Sequence, residues 1–203
     1  MTFPAVMMLG VALVSAPPPL RQLKPSDVPR ALKPNGTVQR VVGWTDQNGE
    51  NLVIFSTRDT TGSDKETGED TRTRQLFVEH VVVGKGKPRQ LRLVRDGVEA
   101  CAMDLDARFI DAALGVTDLD GDGLGEVTFA YVTACRSDVS PLTLKLLMLE
   151  NGEKYIIRGE TRVDVGEGEK LGGKQEVDAS LQKGPPLFRE HALKVWSAIV
   201  EQG

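Results

Sequence analysis

Twelve residues in the middle of the chain, Val116 to Val127, restrict the fold more than any other stretch. Asp118, Asp120 and Asp122 stand at alternate positions, and Glu126 follows four residues after the last. A tight turn with that rhythm brings the side chains of positions 1, 3 and 5 to one centre. The carbonyl of position 7 joins them, and position 9 completes the shell directly or through water. These places fall to Asp118, Asp120, Asp122, the Leu124 carbonyl and Glu126, with Gly123 at the position that must bend left-handed. A hard divalent cation, Ca2+, suits such an all-oxygen set, whereas zinc would want His or Cys. The plain alternative is an acidic, Gly-rich turn without an ion. Four carboxylates packed so closely repel one another without a counter-ion, which favours the metal. An EF-hand fits less well, because its twelfth position should be a bidentate Glu and is Phe129 here.

After the loop, Val127, Phe129 and Tyr131 alternate with smaller or polar residues, which is the period of a strand. An aspartate loop leading into a strand resembles the calcium loops of integrin-type FG-GAP and VCBS repeats. The remaining elements are predominantly strands too. Val38 to Trp44 and Asn51 to Phe55 flank a turn at Asp46-Gln47-Asn48-Gly49. Gln75 to Val83 and Gln90 to Arg95 flank Lys85 to Pro88. Leu142 to Leu149 and Lys154 to Val165 flank Asn151-Gly152. Asp96-Gly97 reads as a further hairpin turn, with weaker strands over Val98 to Leu105 and Arg108 to Val116. Ser56 to Arg74 has no large apolar residue and reads as a solvated loop, and Gly166 to Gly173 reads as flexible.

The period changes only at the end of the chain. Phe188, Ala192, Val195, Trp196 and Ile199 form one face of an amphipathic helix over 186–200, after Pro185-Pro186. The fold class is therefore mainly β: antiparallel sheets, as a β-sandwich or propeller-like blades, with one C-terminal α-helix. Thr45-Asp46 to Val53 echoes Thr117-Asp118 to Val127, which is open to two readings, a duplicated unit or a common hairpin design.

The 203 residues divide into three parts. Residues 1–16 read as a signal peptide, with an apolar run from Phe3 to Val14 and a small-residue cleavage site at Val14-Ser15-Ala16. The run is too short to cross a bilayer comfortably. A buried first strand is the alternative, because no Lys or Arg precedes the run and Pro17 would follow the cut. Residues 17–36 are Pro-rich and read as an extended leader or linker, and 37–203 as a single β-rich domain. A mature chain without a membrane anchor, secreted or periplasmic, follows from this division. The formal net charge of −4 and the scattered basic residues exclude a nucleic-acid footprint.

The only two cysteines, Cys101 and Cys135, are most simply a disulfide in an exported protein. It would bracket the aspartate loop, tying the strand before it to the strand after it. In a cytosolic chain they would be two buried small hydrophobes.

A second resemblance rests on the order of several short pieces. These are Trp44-Thr45-Asp46 with Gly49-Glu50-Asn51, then Val116 to Glu126, then Cys135 with Asp138-Val139-Ser140-Pro141, then Lys154-Tyr155 with Arg158-Gly159. Over residues 38 to 160 the chain is similar to a small family of exported bacterial proteins labelled surface polysaccharide biosynthesis proteins. The resemblance implies a role in the cell envelope, with envelope glycan or another envelope protein as partner, and supplies no reaction.

Signs of catalysis are few. His80 lies in an apolar strand and His191 near the edge of the helix stripe, where lone histidines are packed, hydrogen-bonded residues. No nucleophile elbow, phosphate loop or His-Glu-x-x-His is present. With 29 acidic residues some carboxylate pair is inevitable and decides nothing. Arg136 and Asp138, just past the loop's strand, are the candidate ligand-contacting residues, with turn formation before Ser140-Pro141 as the plain role of Asp138. Three readings follow: a non-catalytic calcium-binding envelope protein that handles glycan, a polysaccharide-acting enzyme with a structural calcium, and an adhesive protein-binding module.

Overall fold

The structure, a computed structural model, describes residues 18–84 and 86–201; the signal-peptide expectation lies outside them. The first sheet is a meander of β1 (Arg21–Leu23), β2 (Thr37–Asp46), β3 (Gly49–Ser63), β4 (Asp70–Val83) and β5 (Arg89–Cys101), in that spatial order. The second contains β6 (Asp104–Thr117), β7 (Glu126–Arg136), β8 (Thr143–Glu150) and β9 (Glu153–Glu160), closed at its far edge by β12 (Gln175–Val177). Between β9 and β12 the chain makes a separate hairpin of β10 (Arg162–Gly166) and β11 (Glu169–Gly172). Two helices follow, α1 (Ala179–Lys183) and α2 (Pro186–Ile199). All strand pairs are antiparallel.

Alternation along each strand sends one set of side chains between the sheets. Val42, Trp44, Val53, Phe55, Leu76 and Val78 from the first sheet meet Val127, Phe129, Tyr131, Leu147, Leu149 and Ile156 from the second. Phe55 stands edge-on to both Phe109 and Phe129, an arrangement that suits the aromatic quadrupoles. The second sheet's other face carries Ala130, Val132, Leu144, Leu146, Met148 and Ile157, and α2 covers them with Phe188, Ala192, Trp196 and Ile199. The helix therefore makes a third layer, with the stripe expected of it. No helix among the described residues is long and apolar enough to cross a membrane.

Several local expectations change, among them Gly166 to Gly173, read as flexible, which carries β11 paired with β10. The segment 17–36 holds β1, paired with β2 through Arg21↔Gly43 to Leu23↔Val41. Asn35, just before β2, donates its side-chain amide to buried Glu79 of β4 at 2.6 Å. Residues 56–74, read as a solvated loop, instead continue β3 and β4 as a polar arm whose pairing runs out to Ser63↔Asp70. The arm is held by threonine-rich cross-strand pairs and by the Arg74–Asp59 ion pair at 2.6 Å, not by apolar burial. Gly97 does not turn the chain, since β5 runs straight through it. Its φ of +149° lets the backbone lie so close to β4 that a Cβ would sit 2.3 Å from the Arg74 carbonyl. The expected strand Lys154 to Val165 is broken at Thr161, which is fully buried and exchanges hydrogen bonds with Leu142.

Cys101 and Cys135 are bonded, with Cα atoms 5.6 Å apart. The bond joins β5 of the first sheet to β7 of the second, not the strands on either side of the aspartate loop. The loop leaves the opposite end of β7, nine residues and about 30 Å away.

Candidate metal centre

The loop between β6 and β7 meets two other hairpin turns at one end of the sandwich. Gly121 and Gly123 supply its bends at φ +75° and +83°. Successive aspartates then fold the loop on itself. Asp120 accepts from the Asp122 amide at 3.2 Å, and Asp122 accepts from the Leu124 amide at 2.8 Å. Leu124, expected to offer its carbonyl, is thus positioned by its amide. Asp118, almost buried, accepts from the Gly123 amide at 3.4 Å.

Glu126 does more than the spacing foretold. It is fully buried and ties the mouth of the loop, accepting from the Thr117 hydroxyl at 2.7 Å and the Leu119 amide at 2.9 Å. Burial raises its pKa and these hydrogen bonds oppose the rise, while Asp120 adds to it. One ligand atom from each of Asp118, Asp120 and Glu126 lies within 4.8 Å of the other two. Two oxygens bound to one calcium at about 2.3–2.6 Å each stand no more than about 5 Å apart, so the set fits a single cation.

A second trio was not visible in the linear spacing. Asp120, Asp122 and Glu150, the last residue of β8, also bring ligand atoms within 4.8 Å of one another. Oε1 of Glu150 is buried and meets no hydrogen-bond donor among the described residues. Burial, and then Asp120, Asp122, Glu126 and Asp118, push the Glu150 pKa up to about 7. A carboxylate with a buried lone oxygen beside four others could join them in holding a metal ion.

The first sheet holds this loop through the β2–β3 turn. The Gln47 side chain donates to the Asp122 carbonyl at 2.9 Å, and its amide to the Gly123 carbonyl at 3.1 Å. Asp46 accepts from the Gly125 amide and the Trp44 indole, each at 2.9 Å. Asn48 reaches the third turn, donating to Asn151 at 3.1 Å. The echo between the Asp46 and Asp118 segments is thus also a contact: one turn grips the other. A signal for Asp46 lay in that echo; none pointed to Gln47 or Glu150.

Arg136 and Asp138 stand apart from this cluster, at the disulfide end. Asp138 accepts from the Ser140 amide at 2.9 Å and from its hydroxyl, and these bonds lower its pKa. Arg136 donates to the Ser140 carbonyl and approaches Asp106 at 3.8 Å. Both side chains serve the turn before Pro141. They also line a shallow depression with Val139, Arg162 and Glu201.

The acidic cluster can hold a metal ion, and the disulfide is compatible with an extracellular setting. Comparison with protein-family models, with curated proteins and with solved structures found no match.

Proposed function

We propose that the protein is an exported, calcium-binding β-module of the bacterial cell envelope that acts without catalysis. The observation that carries this is the shared geometry of two carboxylate trios joined at Asp120, with the unpartnered buried oxygen of Glu150 facing the same charges. Calcium is the occupant that the all-oxygen donor set and the Asp-x-Asp-x-Asp-Gly rhythm favour. On this reading the ion fixes the β6–β7 loop against the end of β8 and, through Gln47 and Asp46, against the first sheet. Its effect is therefore on the joint between sheets. The acidic side chains at the site are spent on loop hydrogen bonds and mutual proximity, which suits a structural ion. A role with envelope polysaccharide, implied by the second sequence resemblance, belongs to the same proposal, and the disulfide supports export.

Thermal unfolding in graded calcium tests it. A ligand bound only by the folded state adds about 2.7 kcal/mol at a hundredfold excess over its Kd. Tm should rise with calcium and less with magnesium, which gives up its water reluctantly. Asp120→Ala should abolish most of the rise, and Glu150→Gln should reduce it. Asp64→Ala, at the tip of the arm, removes hydrogen bonds to the Glu66 and Thr67 amides but should leave the calcium response intact. A wild-type melting curve unmoved by millimolar calcium would refute the proposal.

A further inference from the structure

A second charged feature lies where the first sheet ends. Along its edge strand β5, the side chains on the inner face of the second sheet change character. The cross-strand rows run Phe129–Leu147–Ile156, Val127–Leu149–Lys154 and Tyr131–Lys145–Arg158 on passing from β7 through β8 to β9. Each row begins in the apolar core, and two of the three end in a cation. From β5, Arg92 and Asp96 face the same space, with Arg95 at its rim. The result is a cleft of about 260 Å³ with an apolar floor at Leu147 and Ile156 and five cations around it.

Only one carboxylate, Asp96, lines that cleft among the described residues, and it is fully engaged. It accepts from Lys145 at 2.5 Å, from the Tyr131 hydroxyl at 2.7 Å and from the Gly97 amide at 2.9 Å. Arg158 pairs outward with Asp178 at 2.6 Å and has Glu176 of β12 as its cross-strand neighbour. Arg95 reaches Glu99 only at 4.0 Å, both side chains being largely exposed. Arg92 commits Nε to the Gly152 carbonyl at 2.6 Å, one of the five donors a guanidinium carries. Among the described residues no carboxylate lies within ion-pair distance of Arg92 or Lys154, and both are half-buried. Five cations thus line one concavity, and with Lys145, Arg158 and Arg95 paired to Asp96, Asp178 and Glu99, two of them, Arg92 and Lys154, have no carboxylate partner among the described residues. Half-buried like charges repel unless an anion joins them, and such a concavity concentrates anions.

We propose that this cleft binds a small multivalent oxyanion, a ligand bearing two or more phosphate or carboxylate groups. The guanidinium of Arg92 and the ammonium of Lys154 take one group, and the guanidinium donors that Arg158 keeps beyond its Asp178 contact meet the other. Arginine supplies a planar fork for such oxygens and lysine a point charge. The cleft is smaller than the roughly 300–1,000 Å³ of drug-sized pockets, which suits one charged sugar or head-group unit rather than a large ligand. The proposal stands on residues other than the metal cluster and does not depend on that site being filled. Its plain rival is that the aliphatic stems of these side chains merely cover Leu147 and Ile156.

Calorimetric titration of the folded, disulfide-bonded protein in calcium-free buffer separates the two, since both probe types chelate calcium. The probes are fructose 1,6-bisphosphate and tricarballylate, with fructose and sodium chloride of matched ionic strength as controls. At least one probe should bind with a Kd below about 1 mM, weakening as salt rises. Preference for the bisphosphate or the tricarboxylate then identifies the head group. Arg92→Gln with Lys154→Gln should weaken binding at least tenfold with Tm nearly unchanged, and Lys170→Gln on β11 should leave it intact. If neither probe binds above the controls, or the double variant binds as tightly as wild type, the cleft is a solvated basic face and the proposal is overturned.

Discussion

Removing the Cys101–Cys135 bond gives the most quantitative expectation. The cysteines are 34 residues apart, so the bond closes a loop of about 35 residues in the unfolded chain. Chain-entropy arithmetic for that loop gives about 4 kcal/mol at 25 °C, a large share of the roughly 5–15 kcal/mol of a typical domain. The structure offers few competing terms. Cys101 is 1% exposed and Cys135 lies at the surface, so replacing both with alanine strands no buried polar group. Urea unfolding of Cys101→Ala/Cys135→Ala beside the oxidised wild type, both in calcium, should show a loss near that figure. The urea dependence should steepen, because the uncrosslinked chain exposes more surface when unfolded. The metal loop sits at the other end of β7, about 30 Å away, so the loss should add to that of Asp120→Ala within about 0.5 kcal/mol. A loss under about 1 kcal/mol would refute the loop-entropy reasoning. Strong non-additivity would refute the view that the two ends act independently.

Two further outcomes follow from side chains near the loop. Gly125→Ala should cost about 1–3 kcal/mol by overpacking, because its Cβ would lie 2.3 Å from the buried Trp44 indole nitrogen. A changed Trp44 emission should accompany that loss in a chemical-denaturation series, whereas Gly115→Ala, with nothing within 4 Å, should be near neutral. His80 is buried beside Trp44, and burial lowers its pKa from 6.5 to about 4. The unfolded chain therefore takes up the proton first. The stability carried by neutral His80 is complete above pH 6.5 and is lost as pH falls toward 4, by about 1.4 kcal/mol per unit and about 3 kcal/mol in all. Stability measured against pH should fall less steeply in that window for His80→Gln, and equal slopes would refute the assignment.

The parts of the fold visible in sequence were those with a local cause. Asn151-Gly152 needs two residues at positive φ, and the structure has both, at +43° and +89°. The helix stripe from Phe188 to Ile199 and the strand period after Glu126 likewise depend on near neighbours. The polar arm was hidden because Thr57 to Thr73 presents two polar faces, and a strand solvated on both sides has no alternation to detect. Gly97 misled because a glycine that permits close backbone approach looks in sequence like one that permits a turn. Within the site, Asp118, Asp120, Asp122 and Glu126 announced themselves by spacing. Glu150 arrives from a different hairpin, and only the packing of β8 beside β7 brings it there. The basic cleft was hidden for the same reason, since its cations are spread over three strands.

The meander topology has a consequence for how the chain assembles. Within the first sheet each strand pairs with the next in sequence, and the second sheet departs from that rule only where β12 returns to β9. Short connections of this kind keep most pairing local, so the loop-closure entropy that slows many all-β proteins is small within each sheet. Residues 21–101 can thus complete their hydrogen-bonded ladder before β7, β8 and β9 exist to cover it. At a synthesis rate of about 5–20 residues per second, such a sheet would expose Trp44, Phe55 and Leu76 for several seconds before its partner layer arrives. Vulnerability to aggregation is therefore concentrated in that interval, when one sheet has paired strands, open edges and a bare face that the other will occupy.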